Sequence, residues 1–437
     1  MGYHQHWQNW GRLIRWCSWV ALVCWIVWGG IVASPNVVLV IAGGMGPSLQ
    51  VATRYYLGGP THELAVDKMP VVGRIKTYSA NSGVSDAGAS GTALACGIKT
   101  NNGYVGMTAD GQPCTTLLDV AKQQGYITAL ITNTLITDPT PASFFAHVNN
   151  RIATRDIVLQ LANSGVDVMI GGGHGVLSPS INGLLMDVGW VVTSDLRGLG
   201  NGFPTLILPY SGAFPLLSTQ PTWSIFGVMT ELYKTIDQHP SPSFVVIDMG
   251  QMEGLAQRNR LRQLLKEAAE WDKVMAWLRE RPNTLLVGVT DYDTGGLSIG
   301  GGRDWVGMRG DALWDGSGRQ RVVVWAFGPE SEMRMKGITI TEERLESREF
   351  GVKAMNTAVD VGVVASGPFS NRLMGTMENS QVAVIVTEIL GGSGIGEIKF
   401  EPNPKSTLPP ASVLPPEATV PTASVRLPEA TVHTAVE

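Results

Sequence analysis

Short apolar runs recur along the chain, and most follow a stretch with helical character. Asn36–Ile41 (Asn-Val-Val-Leu-Val-Ile) reads as a fully buried strand, broken at once by Ala42-Gly43-Gly44-Met45-Gly46. A strand over residues 126–132 follows a helix expected from Thr115, and one over 166–170 follows a helix over 155–163. Residues 244–247 form another apolar run, and Thr284–Val289 follows a helix over 260–279. Continuous apolar strands alternating with helices predict an α/β domain with a largely parallel sheet and helices on both faces. In such sheets functional groups gather on loops at the carboxyl ends of strands. Residues 171–174, 248–257 and 291–296 occupy such places.

The two ends of the chain follow other patterns. From Trp16 to Pro35 there is no charged residue, and Arg12 and Arg15 stand on the N-terminal flank. Such a run spans roughly 30 Å as a helix, the thickness of a bilayer's hydrocarbon core. The flanking arginines orient that end to the cytoplasm and the rest outside. A cleaved signal peptide, with Val32-Ala33-Ser34 as the small-residue site, is the competing reading. The length of the run favours an uncleaved anchor over residues 13–34, and both readings export the domain. Cys17 and Cys24, one face of that helix, read as packing or lipid-facing residues. From Glu401 the composition turns to Pro, Ala, Val and Thr, with the near-repeats Leu414-Pro-Pro-Glu-Ala-Thr-Val420 and Leu427-Pro-Glu-Ala-Thr-Val432. Residues 401–437 therefore read as an extended, polyproline-prone tail, either a spacer or an interaction tether. The division expected is 1–35 anchor or signal, 36–400 folded domain, 401–437 tail.

Composition narrows the classes. A net charge of -5 with 16% charged residues offers no basic field, which argues against nucleic acid as a partner. Four Cys are too few for a disulfide-built scaffold. The 52 Gly in 437 residues indicate many tight turns and close backbone approaches.

Six segments, in order across residues 36–390, carry a resemblance. They are Asn36-Val-Val-Leu-Val-Ile-Ala-Gly-Gly-Met-Gly46, Val84-Ser-Asp-Ala-Gly-Ala-Ser-Gly-Thr-Ala-Leu-Ala-Cys-Gly-Ile-Lys-Thr100 and Asp138-Pro-Thr-Pro-Ala-Ser-Phe-Phe-Ala-His-Val-Asn-Asn-Arg151. The others are Thr290-Asp-Tyr-Asp-Thr-Gly-Gly-Leu297, Asn356-Thr-Ala-Val-Asp360 and Gly375-Thr-Met-Glu-Asn379. Together they resemble the alkaline phosphatase family. The resemblance implies a three-layer α/β sandwich around a central, mostly parallel sheet. It also implies phosphomonoester hydrolysis through a phosphoserine, with two zinc ions, a magnesium ion and a phosphate-clamping Arg.

Residue by residue, the chain departs from that chemistry. After Asp86 the nucleophile position is Ala87, which has no hydroxyl, and Ser85 and Ser90 point elsewhere at a helix start by about 100° per residue. At the zinc positions stand Gly43, Glu253, Gln257, Tyr292 and Asn356, with the carboxylate Asp291 retained. The seven His agree: His4, His6 and His433 lie in the terminal segments, and among His62, His147, His174 and His239 no pair has metal-ligand spacing. His147, in a helix-like run, reads as a satisfied core histidine, and His174 as a loop cap or a ligand contact. Arg151 matches the phosphate clamp, and Asp138, Thr140 and Asp248 match the magnesium positions, an oxygen-only set suited to a hard cation. The structural alternatives are that Asp138 caps a helix through Pro139, that Arg151 pairs with Asp86, and that Asp291 is a turn residue before Gly295-Gly296. Cys96 and Cys114 lie where some family members have a disulfide; two buried thiols are the alternative.

The expectation is a pseudophosphatase, leaning away from enzyme activity, acting as a membrane-anchored, extracytoplasmic scaffold or binding subunit. The alternative is a divalent-metal-dependent phosphomonoester hydrolase with an atypical, zinc-poor site. No resident cofactor is expected, magnesium being the one alternative and zinc not expected. The partners expected are the membrane through residues 13–34 and proteins of a membrane or surface assembly; a homodimer is left open.

Overall fold

In a computed structural model, residues 34–217, 223–300, 307–309, 312–314, 323–337 and 352–392 are described. The expected anchor up to residue 33, with Cys17 and Cys24, and the tail over 401–437 lie outside the described residues. Among those described, no helix is long and apolar enough to cross a membrane.

A sheet of ten strands forms the middle layer. Its strands are β1 (Asn36–Ile41), β2 (Val71–Lys76), β3 (Ile127–Leu135), β4 (Val168–Gly172), β5 (Val191–Thr193), β6 (Thr205–Ile207), β7 (Ser243–Asp248), β8 (Thr284–Val289), β9 (Val361–Ser366) and β10 (Gly375–Glu378). Their spatial order is β10-β2-β9-β8-β1-β7-β3-β4-β6-β5. β9 runs antiparallel to β2 and β8, and every other pairing in the sheet is parallel. The unbroken apolar run of β1 is explained by its place at the centre. Val37, Leu39 and Ile41 enter the core on one face, and Val38 and Val40 the core on the other.

Helices cover both faces. They are α1 (Pro47–Gly58), α2 (Ala87–Cys96), α3 (Leu117–Gln123), α4 (Pro139–Ala142), α5 (Thr154–Gln160), α6 (Pro179–Asp187), α7 (Ile225–Ile236), α8 (Gln251–Gln257), α9 (Leu261–Arg279), α10 (Pro329–Met335) and α11 (Asn379–Leu390). Leu94 of α2, Leu117 of α3 and Val382 of α11 pack under one face. Leu49 of α1, Leu232 of α7 and Leu264 of α9 pack under the other. This is the three-layer α/β arrangement expected.

Two boundaries differ from expectation. β3 continues through Thr132, Asn133 and Thr134 to Leu135, because these polar residues find buried partners in the site. His147 lies beyond α4 in extended chain rather than in a helix; its Nδ1 is 2.6 Å from the Gly106 carbonyl oxygen, so the imidazole is satisfied as expected.

Cys96, the last residue of α2, is joined to Cys114, with a Cα–Cα separation of 6.0 Å. The bond ties α2 to the capping box that opens α3, where Thr116 and Asp119 cap each other. Replacing both cysteines by Ser is expected to cost about 3 kcal/mol. Denaturant unfolding of the variant against the oxidised chain measures it, and an unchanged midpoint would refute the assignment.

Candidate active site

The candidate residues come from the carboxyl ends of β1, β3, β7 and β8 and the N-terminus of α2. Asp86 is the N-cap of α2: it accepts from Ala89 N at 2.9 Å, and its Oδ2 accepts from Gly103 N at 2.9 Å and from Arg151 Nη1 at 3.0 Å. Arg151 thus pairs with Asp86, as the structural alternative anticipated, and remains 40% exposed at its side chain. Ala87 is the first helical residue and is buried. The nearby hydroxyls serve the backbone: Ser85 Oγ donates to the Asp86 carbonyl at 3.2 Å and Ser90 Oγ to the Asp291 carbonyl at 2.7 Å.

Beside this pair lies a buried acidic cluster. Asp248, at the end of β7, accepts from Thr132 Oγ1 at 2.7 Å, while its Oδ1 is buried with no partner. Thr132 and Thr134 are linked at 2.9 Å, and the Thr134 hydroxyl in turn supports Asp138. Burial pushes the Asp248 carboxyl up to about 7, helped by the charges of Asp138 and Glu253. Burial likewise raises Asp138 and Glu253, and holds Asp291 well above the usual carboxylate range. Burial and mutual repulsion thus favour the protonated forms of these acids.

Two of the structural alternatives for these acids need correction. Asp138 stands at the N-cap of α4 without bonding a helix amide; its Oδ2 instead accepts from Leu135 N at 3.4 Å. Asp291 is more than a turn residue. It is 1% exposed, and its Oδ1 accepts from Gly44 N and Tyr292 N, each at 2.9 Å, tying the β1 loop to the end of β8.

The positions that depart from the family's zinc ligands are built into the protein. A Cβ on Gly43 would meet the Cα of Gly250 at 2.9 Å, so the β1 and β7 loops close where a carboxylate would stand. Gln257 Nε2 donates to Glu253 Oε1 at 2.9 Å. Tyr292 is fully buried, its phenol beside Glu253 without a hydrogen bond of good geometry. Asn356 donates through Nδ2 to the Ser85 carbonyl at 3.1 Å and accepts from Thr294 Oγ1 at 2.9 Å.

Asp86, Arg151, Asp138, Asp248, Glu253, Asp291 and Tyr292 are therefore brought into mutual electrostatic reach. Gln257 and Asn356 are half-buried, bonded to Glu253 and to the Ser85 carbonyl respectively. Thr140 is buried on α4. Among the described residues no three His, Cys, Asp or Glu side chains are grouped so as to hold a metal ion. Sequence reasoning passed over Thr132, Thr134, Asn133 and Gln251; the signal was a polar Thr-Asn-Thr at the end of an apolar strand. His174 is exposed at a 3-10 turn, its backbone N donating to the Tyr210 carbonyl at 2.9 Å.

A largely parallel ten-stranded sheet with an acidic site at its strand ends defines an alkaline-phosphatase-like α/β fold. The alkaline phosphatase family model matches residues 34–183. The repressible alkaline phosphatase of Saccharomyces cerevisiae is 27% identical over 316 residues, covering 60% of this chain and 55% of that protein. Alkaline phosphatase 3 of Bacillus subtilis is 23% identical over 416 residues, covering 81% and 88%. The solved alkaline phosphatase of the Antarctic bacterium TAB5 superposes with a TM-score of 0.67 at 21% identity, over 83% of this chain and 99% of that one. The chain thus has an alkaline-phosphatase-like α/β fold, and it spans only about half the length of the yeast relative it matches.

Proposed function

We propose that this is a catalytically impaired alkaline-phosphatase-like protein, held at a membrane as an extracytoplasmic scaffold or binding subunit. The observation that carries the reading is Ala87 at the first turn of α2, with the neighbouring hydroxyls of Ser85 and Ser90 committed to backbone carbonyls. Phosphoryl transfer through the chain needs a hydroxyl at that place and a group that makes it a nucleophile. The donor set does not fit a zinc pair: there is no imidazole at the positions of Gly43, Glu253, Gln257, Tyr292 and Asn356, and no carboxylate fits at Gly43 without parting the loops. The Cys96–Cys114 disulfide supports an oxidising compartment, and the apolar N-terminal run supports the membrane. Protein partners in a membrane or surface assembly, and self-association, belong to the same proposal.

The test is the detergent-solubilised full chain, assayed with a chromogenic phosphomonoester and analysed for bound metal. No turnover above buffer is expected. Two equivalents of zinc, with turnover abolished by chelator, would sink the reading.

A second reading, a divalent-metal-dependent phosphomonoesterase, is favoured by one observation: the unpartnered Asp248 Oδ1 beside Asp138. Asp138 and Asp248 offer oxygen donors of the kind a hard cation such as magnesium takes, with Thr140 on α4 as the third candidate. Bound there, the cation would supply charge to offset a phosphoryl group. Arg151 would bind the anion, and must leave Asp86 to do so bidentately. On this reading Arg151→Ala abolishes both turnover and the calorimetric heat of inorganic phosphate binding. Phosphate binding without turnover, lost in Arg151→Ala, would mark a binding module.

A further inference from the structure

Away from the site, α9 carries two acids on its inner side, one turn apart. Glu267 is 3% and Glu270 9% exposed. Glu267 Oε1 accepts from the backbone N of Leu217 at 3.0 Å, and Glu270 Oε1 accepts from the backbone N of Phe226, in the first turn of α7, at 2.9 Å. Lys273, a turn further on, lies with its Nζ 4.0 Å from the Phe226 ring centroid. Leu217 belongs to a strap, residues 210–217, that reaches the candidate site. In this strap Tyr210 and Phe214 pack edge-on against each other and against Trp223. Phe214 N donates to the Asn133 carbonyl at 3.0 Å, and the Phe214 carbonyl accepts from Gln251 Nε2. Gln251 Nε2 also reaches the Asn133 carbonyl at 2.8 Å, and Asn133 stands between the two threonines that serve Asp248 and Asp138. The strap therefore touches α9 through Leu217 and the wall of the site through Phe214.

We propose that Glu267, set against Glu270, is a proton-operated latch that holds the strap to α9 while protonated and releases Leu217 when it ionises. A protonated carboxyl keeps its carbonyl oxygen for the Leu217 amide at little cost of burial. An ionised one must keep a charge out of water beside a second acid. Among the described residues, no cation acts on the Glu267 carboxyl. Arg54 and Asp67 pair with each other at 2.7 Å, Lys234 pairs with Glu231 on α7, and Asp272 accepts from Ala65 N. Lys273 is engaged with Phe226. Burial, then the backbone bond and the charge of Glu270, act on Glu267, and the balance lifts its carboxyl from 4.5 to about 7. The closed latch thus binds a proton that the open, solvated latch gives up. Closure is fully favoured below the ordinary carboxyl range, weakens as pH rises, and levels off above about 7.

The test is amide hydrogen exchange of Leu217 in the full chain from pH 5 to 8, beside Glu267→Gln and Glu270→Gln. Intrinsic exchange accelerates about tenfold per pH unit, and a one-proton opening adds about another tenfold per unit. The unaltered chain is expected to show about a hundredfold rise per unit up to about pH 7 and tenfold beyond. Glu267→Gln, whose amide oxygen can still accept from Leu217, is expected to show tenfold throughout. Glu270→Gln removes the neighbouring charge and should move the break to lower pH. A tenfold slope in the unaltered chain, or a hundredfold slope in Glu267→Gln, overturns the latch. Should Glu267→Gln fail to fold, an unmoved break in Glu270→Gln overturns it as well.

Discussion

Ala87→Ser is expected to leave phosphomonoester hydrolysis no higher than in the unaltered chain. The substitution is sterically small and restores the hydroxyl at the first turn of α2, where Asp86 already caps the helix. A serine hydroxyl is a weak nucleophile until a base or a metal takes its proton. Around residue 87 the candidates are poor. Asp86 is committed to Arg151 and two backbone amides, and burial keeps Glu253 and Asp291 toward their protonated forms. Electrostatic stabilisation of a transferring phosphoryl group contributes several kcal/mol in such sites, and about 4 kcal/mol is about a thousandfold in rate. A single hydroxyl supplies none of that. Nor does Gly43→Asp rebuild a bridging ligand cheaply, because the new Cβ meets Gly250 backbone at 2.9 Å. Initial rates with a chromogenic phosphomonoester, with and without added zinc and chelator, decide the matter. Chelator-sensitive turnover in Ala87→Ser alone would mean that the pocket still gathers a working metal and that the reading as a pseudoenzyme is wrong.

What was legible in the sequence follows the physics of burial. β1 and β8 are apolar at nearly every position because both faces of the sheet are covered, and their bounds were readable for that reason. The end of β3 was not, since Thr132, Asn133 and Thr134 look like loop until their partners Asp248, Gln251 and Asp138 arrive from other strands and loops. The Arg151–Asp86 pair was anticipated from charge alone, whereas the double bond of Asp291 to the Gly44 and Tyr292 amides required the loop closure to be seen. Glu267 and Glu270 were out of reach. On an amphipathic helix an acid ordinarily belongs to the wet side, and their partners lie 50 and 44 residues away. The apolar N-terminus and the Pro-rich tail lie outside the described residues.

Tyr292 is where lost chemistry and retained stability meet, and Tyr292→Ala is expected to destabilise the fold by about 3–5 kcal/mol. The side chain is fully buried, among the largest such groups in the protein, at a position that the family resemblance assigns to a zinc ligand. Truncation leaves a cavity beside Asp291 and Glu253, both held toward neutrality by burial. Tyr292→Phe is expected to behave differently. The phenol oxygen has no well-formed hydrogen bond, and a buried hydroxyl without one is a liability, so its removal should be within about 1 kcal/mol of neutral or stabilising. Denaturant unfolding of the two variants separates packing from polarity. If Phe costs as much as Ala, the hydroxyl is a structural link to Glu253 and the pocket is held by a phenol–carboxylate bond. If Ala costs under about 1 kcal/mol, the space around residue 292 collapses or is already loose, and aromatic packing has not taken over the place assigned to the metal.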